Sequence, residues 1–341
     1  MNPHAPDTAP SPGFTAEALA RYRADTPATD TLVHLNNAGA ALMPTPVVSA
    51  IHEHIDLEAR VGGYEAADDV AEAMTGVYEA VGALVGAAPH NIALVEHATA
   101  AFNTALSSIE FKAGDLLVTT NNDYVSNQIA FLSLERRYGI EVVRVPDAPD
   151  GQVDVAEMKA VIQRKLPKLV SVTHVPTNSG LVQPIAEIGA ICASRDVLYL
   201  VDACQSVGQM PLDVNEVGCD FLSATGRKFV RGPRGTGFLY ASDRVLERGL
   251  EPAFPDLHGA DWIDDDLYQV APDATRFETW ESAVAMRLGL GVAARYAATV
   301  GLGVIRNRVF GLAEQLRDKV GRVPGARVLD RGRVRCGIVT V

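Results

Sequence analysis

Apolar residues fall along this chain in two alternating rhythms. Short apolar runs occur at NIALV (91–95), DLLVTT (115–120), EVVRV (141–145), KLVSVTH (168–174), VLYLVD (197–202), DFLSAT (220–225) and TGFLYA (236–241). Between most of them apolar positions recur every three or four residues, as in NQIAFLSLERRYG, VAEMKAVIQRKL and IAEIGAICASRD. The bounded runs predict strands and the longer period predicts helices. Strands alternating with helices predict an α/β fold: a mostly parallel seven-stranded sheet sandwiched by helices. TGFLYA follows DFLSAT so closely that it is expected to run antiparallel.

The flanks carry helical patterns. PVVSAIHEHIDLEARV begins with Pro46 after Thr45, and EAADDVAEAMTGVYEAVGALVGA follows a GGY turn. Two long helices are expected around SAVAMRLGLGVAARYAATV and VIRNRVFGLAEQLRDKV. The last run, RVLDRGRVRCGIVTV, predicts two strands of a new sheet, the start of a small C-terminal domain that the chain leaves unfinished. The expected division is an N-terminal, partly disordered arm (1–30), a large domain (31–290), and long helices leading into that small domain (291–341).

Composition narrows the classes. The chain of 341 residues is 48% hydrophobic, enough for a large core, and its net charge is −12 with no basic block. That balance argues against nucleic acid or an anionic membrane surface as partner. The cysteines, Cys192, Cys204, Cys219 and Cys336, are widely spaced, which suits a reducing compartment and gives no metal-site spacing. With no signal-like start and no run of about 18 apolar residues, a cytoplasmic location is the expectation.

In an open α/β sheet, ligands bind beyond the carboxyl ends of the strands. Asp202 ends one predicted strand, and Thr225 to Lys228 follow another. His97 to Thr99, Asn122 to Tyr124 and His174 to Asn178 follow three more, so these polar clusters share one sheet edge. Taken alone, Asp202 reads as a helix cap and Lys228 as a solvated lysine. Lys228 nevertheless sits in ATGRKF, among small and apolar residues, where a desolvated amine gains reactivity. An acid at a strand tip and an amine in the next loop suit pyridoxal phosphate, whose aldehyde needs an amine and whose ring nitrogen needs an acid. GPRGTG has glycines but no following GK[ST], so a nucleotide-phosphate loop is excluded, and no early strand leads into GxGxxG.

The stretch VDACQSVG…ATGRKFVRGPRGTGFLY resembles the class V aminotransferases, fold-type I pyridoxal phosphate enzymes. That group includes cysteine desulfurases, isopenicillin-N-epimerase-like proteins and the sulfoxide lyases of ergothioneine biosynthesis. The likeness runs from LNNAGAALMP to CGIVTV. It implies that Lys228 forms the internal aldimine, Asp202 pairs with the pyridine nitrogen and Gln205 reaches the ring's phenolic oxygen. It places Thr225, Arg227, Ala98 and Thr99 at the phosphate, the last two at a helix start. Tyr124 stands where cysteine desulfurases stack a histidine on the ring; its unperturbed pKa of about 10 makes it a poorer proton donor. Thr177 and Asn178 are implied beside the ring oxygen and substrate. Asn37 and Gly39 of LNNAGA, and Tyr64 of VGGYEA, are implied on the substrate side, although each stretch also reads as a plain turn or linker. RFETWES (276–282) lies where the family often reaches the partner subunit's phosphate, or else it is a capped helix start with Trp280 packing.

The resemblance implies a small amino-acid substrate and a homodimer with sites at the subunit interface. C–S β-elimination ranks first, because Cys336 reads as core and Cys204 as a small packed residue, leaving no sulfur-accepting thiol, and because VGGYEA resembles a segment of epimerase-like members and sulfoxide lyases. Epimerase, racemase, aminotransferase and cysteine desulfurase activities remain as alternatives. The arginine that holds a substrate carboxylate in this family is expected past residue 341.

Overall fold

The computed structural model describes residues 14–341. Residues 1–13 of the expected N-terminal arm lie outside the described residues. The rest of that arm is not irregular: Ala16–Ala24 form helix α1, capped by Thr15 Oγ1, which accepts from Ala18 N at 3.1 Å. Helices α2 (Thr45–Val61), α3 (Gly63–Asp69) and α4 (Ala71–Val85) follow. The second early helical pattern is thus broken at Val70. In α4 the buried positions Val77, Val81, Leu84 and Val85 recur at helical spacing and set one face into the core.

The seven predicted strands all form: β1 (Ile92–Val95), β2 (Leu116–Thr120), β3 (Glu141–Val145), β4 (Leu169–Thr173), β5 (Leu198–Asp202), β6 (Phe221–Thr225) and β7 (Gly237–Ala241). The helices between them are α5 (Ala98–Ser107), α6 (Val125–Tyr138), α7 (Val155–Lys165), α8 (Ile185–Ala193) and the short α9 (Val214–Val217). The sheet order is β1-β7-β6-β5-β4-β2-β3. Only β7 runs antiparallel, pairing with β1 on one side and β6 on the other. Side chains alternate between two buried faces. In β5, Tyr199 and Val201 enter one core and Leu198 and Leu200 the other. Burial on both faces explains why the strands other than edge strand β3, which is only partly buried, read as continuous apolar runs.

After α10 (Asp243–Glu247), two strands go beyond the sequence expectation: β8 (Ala260–Asp264) and β9 (Leu267–Val270) form a separate hairpin. Trp262, Leu267 and Tyr268 on it are exposed. The run ADWIDDDLYQV buries neither face, so it lacks the apolar signature of a core strand. Helices α11 (Val284–Val300) and α12 (Leu302–Val320) are the two long helices predicted.

The predicted C-terminal strand pair does not form. The segment after α12 makes one isolated bridge, Leu181 to Arg335, and its two expected strands share a single backbone bond, Leu329 N to Thr340 O at 2.9 Å. Side chains take the groups a ladder would use. Buried Arg317 donates to the carbonyls of Cys336 (2.8 Å) and Ile338 (2.6 Å), and Asp330 accepts from Gly180 N and Thr340 N. Among the described residues no single helix is long and apolar enough to cross a membrane.

Candidate active site

The carboxyl ends of β1, β2, β4, β5 and β6 converge on a cavity of about 320 Å³. Lys228, Asp202, Gln205, Thr225, Arg227, Ala98, Thr99, Tyr124 and Thr177 all line it. Other predicted residues do not. Asn178 offers only its carbonyl, to Thr340 Oγ1 at 3.0 Å. Asn37 borders a separate, largely apolar cavity beside Tyr22 and Tyr296. Gly39 touches the site indirectly, since its carbonyl accepts from Arg227 Nη1 at 3.0 Å. Tyr64 is three-quarters exposed on α3, away from the cavity.

Asp202 is the last residue of β5, and its carboxylate is 4% exposed. One oxygen accepts from Cys204 N at 3.0 Å and the other from Asn127 Nδ2 at 2.9 Å. Asn127 is buried in the first turn of α6 and lines the same cavity. Sequence reasoning missed it, although a polar residue at helical spacing from buried Phe131 was a usable signal.

Gln205 donates through Nε2 to Thr177 Oγ1 at 2.6 Å and to the Ala38 carbonyl at 3.1 Å, while its Oε1 is buried without a partner. Lys228 is 7% exposed. Its side chain enters none of the hydrogen bonds or ion pairs among the described residues. Burying such groups unpaired is costly, so this wall is built for something it does not itself contain. Gly208 lets the Asp202 turn close on the lysine loop. With φ at +82°, it sits where a Cβ would stand 2.5 Å from Val230 N.

The opposite end is an anion cradle. His97 caps α5 through Nδ1, which accepts from Ala100 N at 3.0 Å. The N–H groups of Ala98 and Thr99 carry no hydrogen bond among the described residues and open on the cavity with Arg227 and Thr225. Unpaired N–H groups and the helix dipole favour a phosphate there.

Two titratable neighbours depart from their ordinary behaviour. Burial pushes the Cys204 thiol well above its usual range, and the Asp202 carboxylate adds to the effect. Asp123, within the Asn122–Tyr124 cluster but given no role of its own there, is raised to about 7, chiefly by burial and with a contribution from Asp202. Its carboxylate ties the strand tips together, accepting from Thr173 N at 2.8 Å, Thr120 Oγ1 at 3.2 Å and Thr119 Oγ1.

RFETWES is split by the fold. Arg276 and Glu278 turn inward and are buried, while Trp280 is half exposed against His258. The run precedes α11 as a 3-10 turn and an extended stretch, not as a helix start.

The family model for class-V aminotransferases matches residues 33–341. A probable cysteine desulfurase of Methanothermobacter thermautotrophicus is 31% identical over 308 residues, covering 89% of this chain and 76% of its own. Among solved structures, the apo cysteine desulfurase of Thermococcus onnurineus NA1 superposes with a TM-score of 0.82 at 25% identity, over 94% of this chain and 81% of that one. The cystine C-S lyase C-DES, in complex with cysteine persulfide, shares the fold at a TM-score of 0.81 and 23% identity, over 92% of this chain and 84% of that one.

Proposed function

The chain belongs to the class-V aminotransferase family of pyridoxal phosphate enzymes, and from that premise we propose that it is a carbon–sulfur lyase acting on a cysteine-like amino acid by β-elimination. The residues present fit the cofactor. Lys228 supplies the amine, Asp202 the acid for the ring nitrogen, and Gln205 a buried amide with an unsatisfied oxygen. Thr99, Thr225, Arg227 and the free N–H groups of Ala98 and Thr99 suit the phosphate. When bound, the cofactor supplies the electron sink that lets a proton leave the substrate's Cα.

Lys228 would hold that group through Nζ, and the same amine would be the base that takes the substrate's Cα proton. Asp202, oriented by Asn127 and Cys204 N, would keep a proton on the ring nitrogen. The Cα–H electron pair becomes a Cα–Cβ double bond as the Cβ–S bond breaks, and sulfur leaves with its bonding pair as a thiolate. Hydrolysis of the released enamine gives pyruvate and ammonia.

The observation that carries the lyase reading is Cys204. It is the cysteine that lines this cavity, and burial beside Asp202 keeps its thiol protonated. A protonated thiol does not attack substrate sulfur, so this wall offers no persulfide acceptor. Cysteine desulfurase is the second reading, favoured by the similarity to probable cysteine desulfurases. Purified protein given L-cysteine or L-cystine separates the two. Pyruvate formed in step with released sulfur supports the lyase. Alanine without pyruvate would establish the desulfurase, and exchange of the Cα deuteron with neither product an epimerase.

Phe254, Trp262 on β8 and Trp280 are large exposed aromatics, side chains of the kind a second copy of the chain would cover. A homodimer is the assembly we propose for the working enzyme.

A further inference from the structure

Strand β1 has a neighbour on one side only. On its free edge, the backbone of Leu94 is held by two side chains from beyond the hairpin. Glu278 Oε1 accepts from Leu94 N at 2.8 Å, and Arg287 Nη2 donates to Leu94 O at 2.9 Å. The two groups are joined to each other, Arg287 Nη1 to Glu278 Oε2 at 2.9 Å. Tyr78 Oη donates to the same carboxylate oxygen at 3.2 Å. The glutamate side chain is fully buried and the arginine is 9% exposed.

Removing two charges from water is costly, and apolar residues of similar volume would cover an edge strand more cheaply. What the pair gives in return is direction. It reproduces the donor and acceptor of a neighbouring strand, so it fixes where β1 sits. Three residues past Leu94 stands His97, the cap of α5, followed by the free N–H groups of Ala98 and Thr99. The other side of this junction is equally tight: a Cβ on Gly237 would lie 2.8 Å from the carbonyl carbon of His97.

We propose that Glu278 and Arg287 are positioning residues for the cofactor's phosphate: together they stand in for the missing strand beside β1 and so aim the N-terminus of α5 at the phosphate. The proposal rests on the cofactor reading above. It concerns the phosphate end alone and leaves the ring end to Asp202.

That restriction supplies the test. Apoenzyme is titrated with pyridoxal phosphate and, separately, with pyridoxal, following quenching of intrinsic fluorescence. In Glu278→Gln, which keeps the shape and removes the charge, pyridoxal phosphate should bind about tenfold more weakly, the size of one weakened charge-assisted contact. Pyridoxal affinity should change by less than about twofold. Arg287→Lys should show the same selective loss, and it provides the comparison if Glu278→Gln does not fold. Equal losses for both ligands, or no loss for either, would overturn the proposal. If the wild type itself binds both equally, the phosphate reading fails and the positioning role fails with it.

Discussion

The two ends of the cavity are held by different means. The ring end lies in the middle of the sheet, where Asp202 and Thr173 are opposite one another on paired strands and each strand has a neighbour on both sides. Its side chains need only local hydrogen bonds, from Asn127 and Cys204 N, to be aimed. The phosphate end hangs from the sheet's edge. There the strand is fixed on its outer side by a buried ion pair that reaches in from residues 278 and 287. Central strands inherit position from the ladder, whereas an edge strand that must present a binding group has to be pinned by side chains.

The severest way to break this contrast is to remove the residue both ends serve. Lys228→Ala should lower turnover on the order of 10³-fold or more, because both the covalent anchor and the base are lost. Borohydride treatment of the holoenzyme, followed by mass measurement, should then find no cofactor fixed to the chain. Persistent labelling in the variant would assign the anchor to another amine.

Asn127→Ala acts on the ring end only. It takes a donor from a buried carboxylate, a loss of roughly 1.5–3 kcal/mol and so about tenfold or more in affinity. Pyridoxal and pyridoxal phosphate should suffer alike in apoenzyme titrations, the opposite of the selective loss expected when the edge pair is altered. A loss confined to the phosphorylated form would erase the distinction between the two ends.

The same difference explains what was legible in the sequence. Asp202 and Lys228 each follow an apolar run whose end the alternation marks, so strand-tip logic found them together, and it placed Ala98 and Thr99 on the same edge. The role of Gln205, and the phosphate role of Ala98 and Thr99, came from the family resemblance. Asn127 was not legible, because its partner Asp202 is a strand tip brought close only by the sheet order; Asp123 lay in a named cluster, but its bond from Thr173 N depends on that same order. The Glu278–Arg287 pair meets Leu94 across some 190 positions of chain, and no local pattern encodes such a contact. RFETWES was singled out for its neighbourhood rather than for the inward turn of Glu278. The expected C-terminal strand pair failed through a related blindness. Its alternation was real, but buried Arg317 and Asp330 had claimed the backbone groups.

Asp123 gives the smallest expected effect and the finest measure of how tightly the ring end is built. Its carboxyl has a usual value of 3.8 and stands at about 7 in the folded chain, chiefly because burial disfavours the charge. Between those values the folded chain keeps a proton that the unfolded chain has released, so stability falls as pH rises through this window. Asn in this position keeps an oxygen for Thr173 N and carries no charge to desolvate. Asp123→Asn should therefore match the wild type below about pH 4, gain on it as pH rises from about 4 to about 7, and hold a constant lead above that. Thermal midpoints measured across that range give the comparison directly. A gap that does not change with pH would mean that the folded carboxyl titrates where the unfolded one does. The bonds from Thr173 N and the neighbouring hydroxyls would then offset burial, and the ring end would carry the charge of Asp123 near neutral pH.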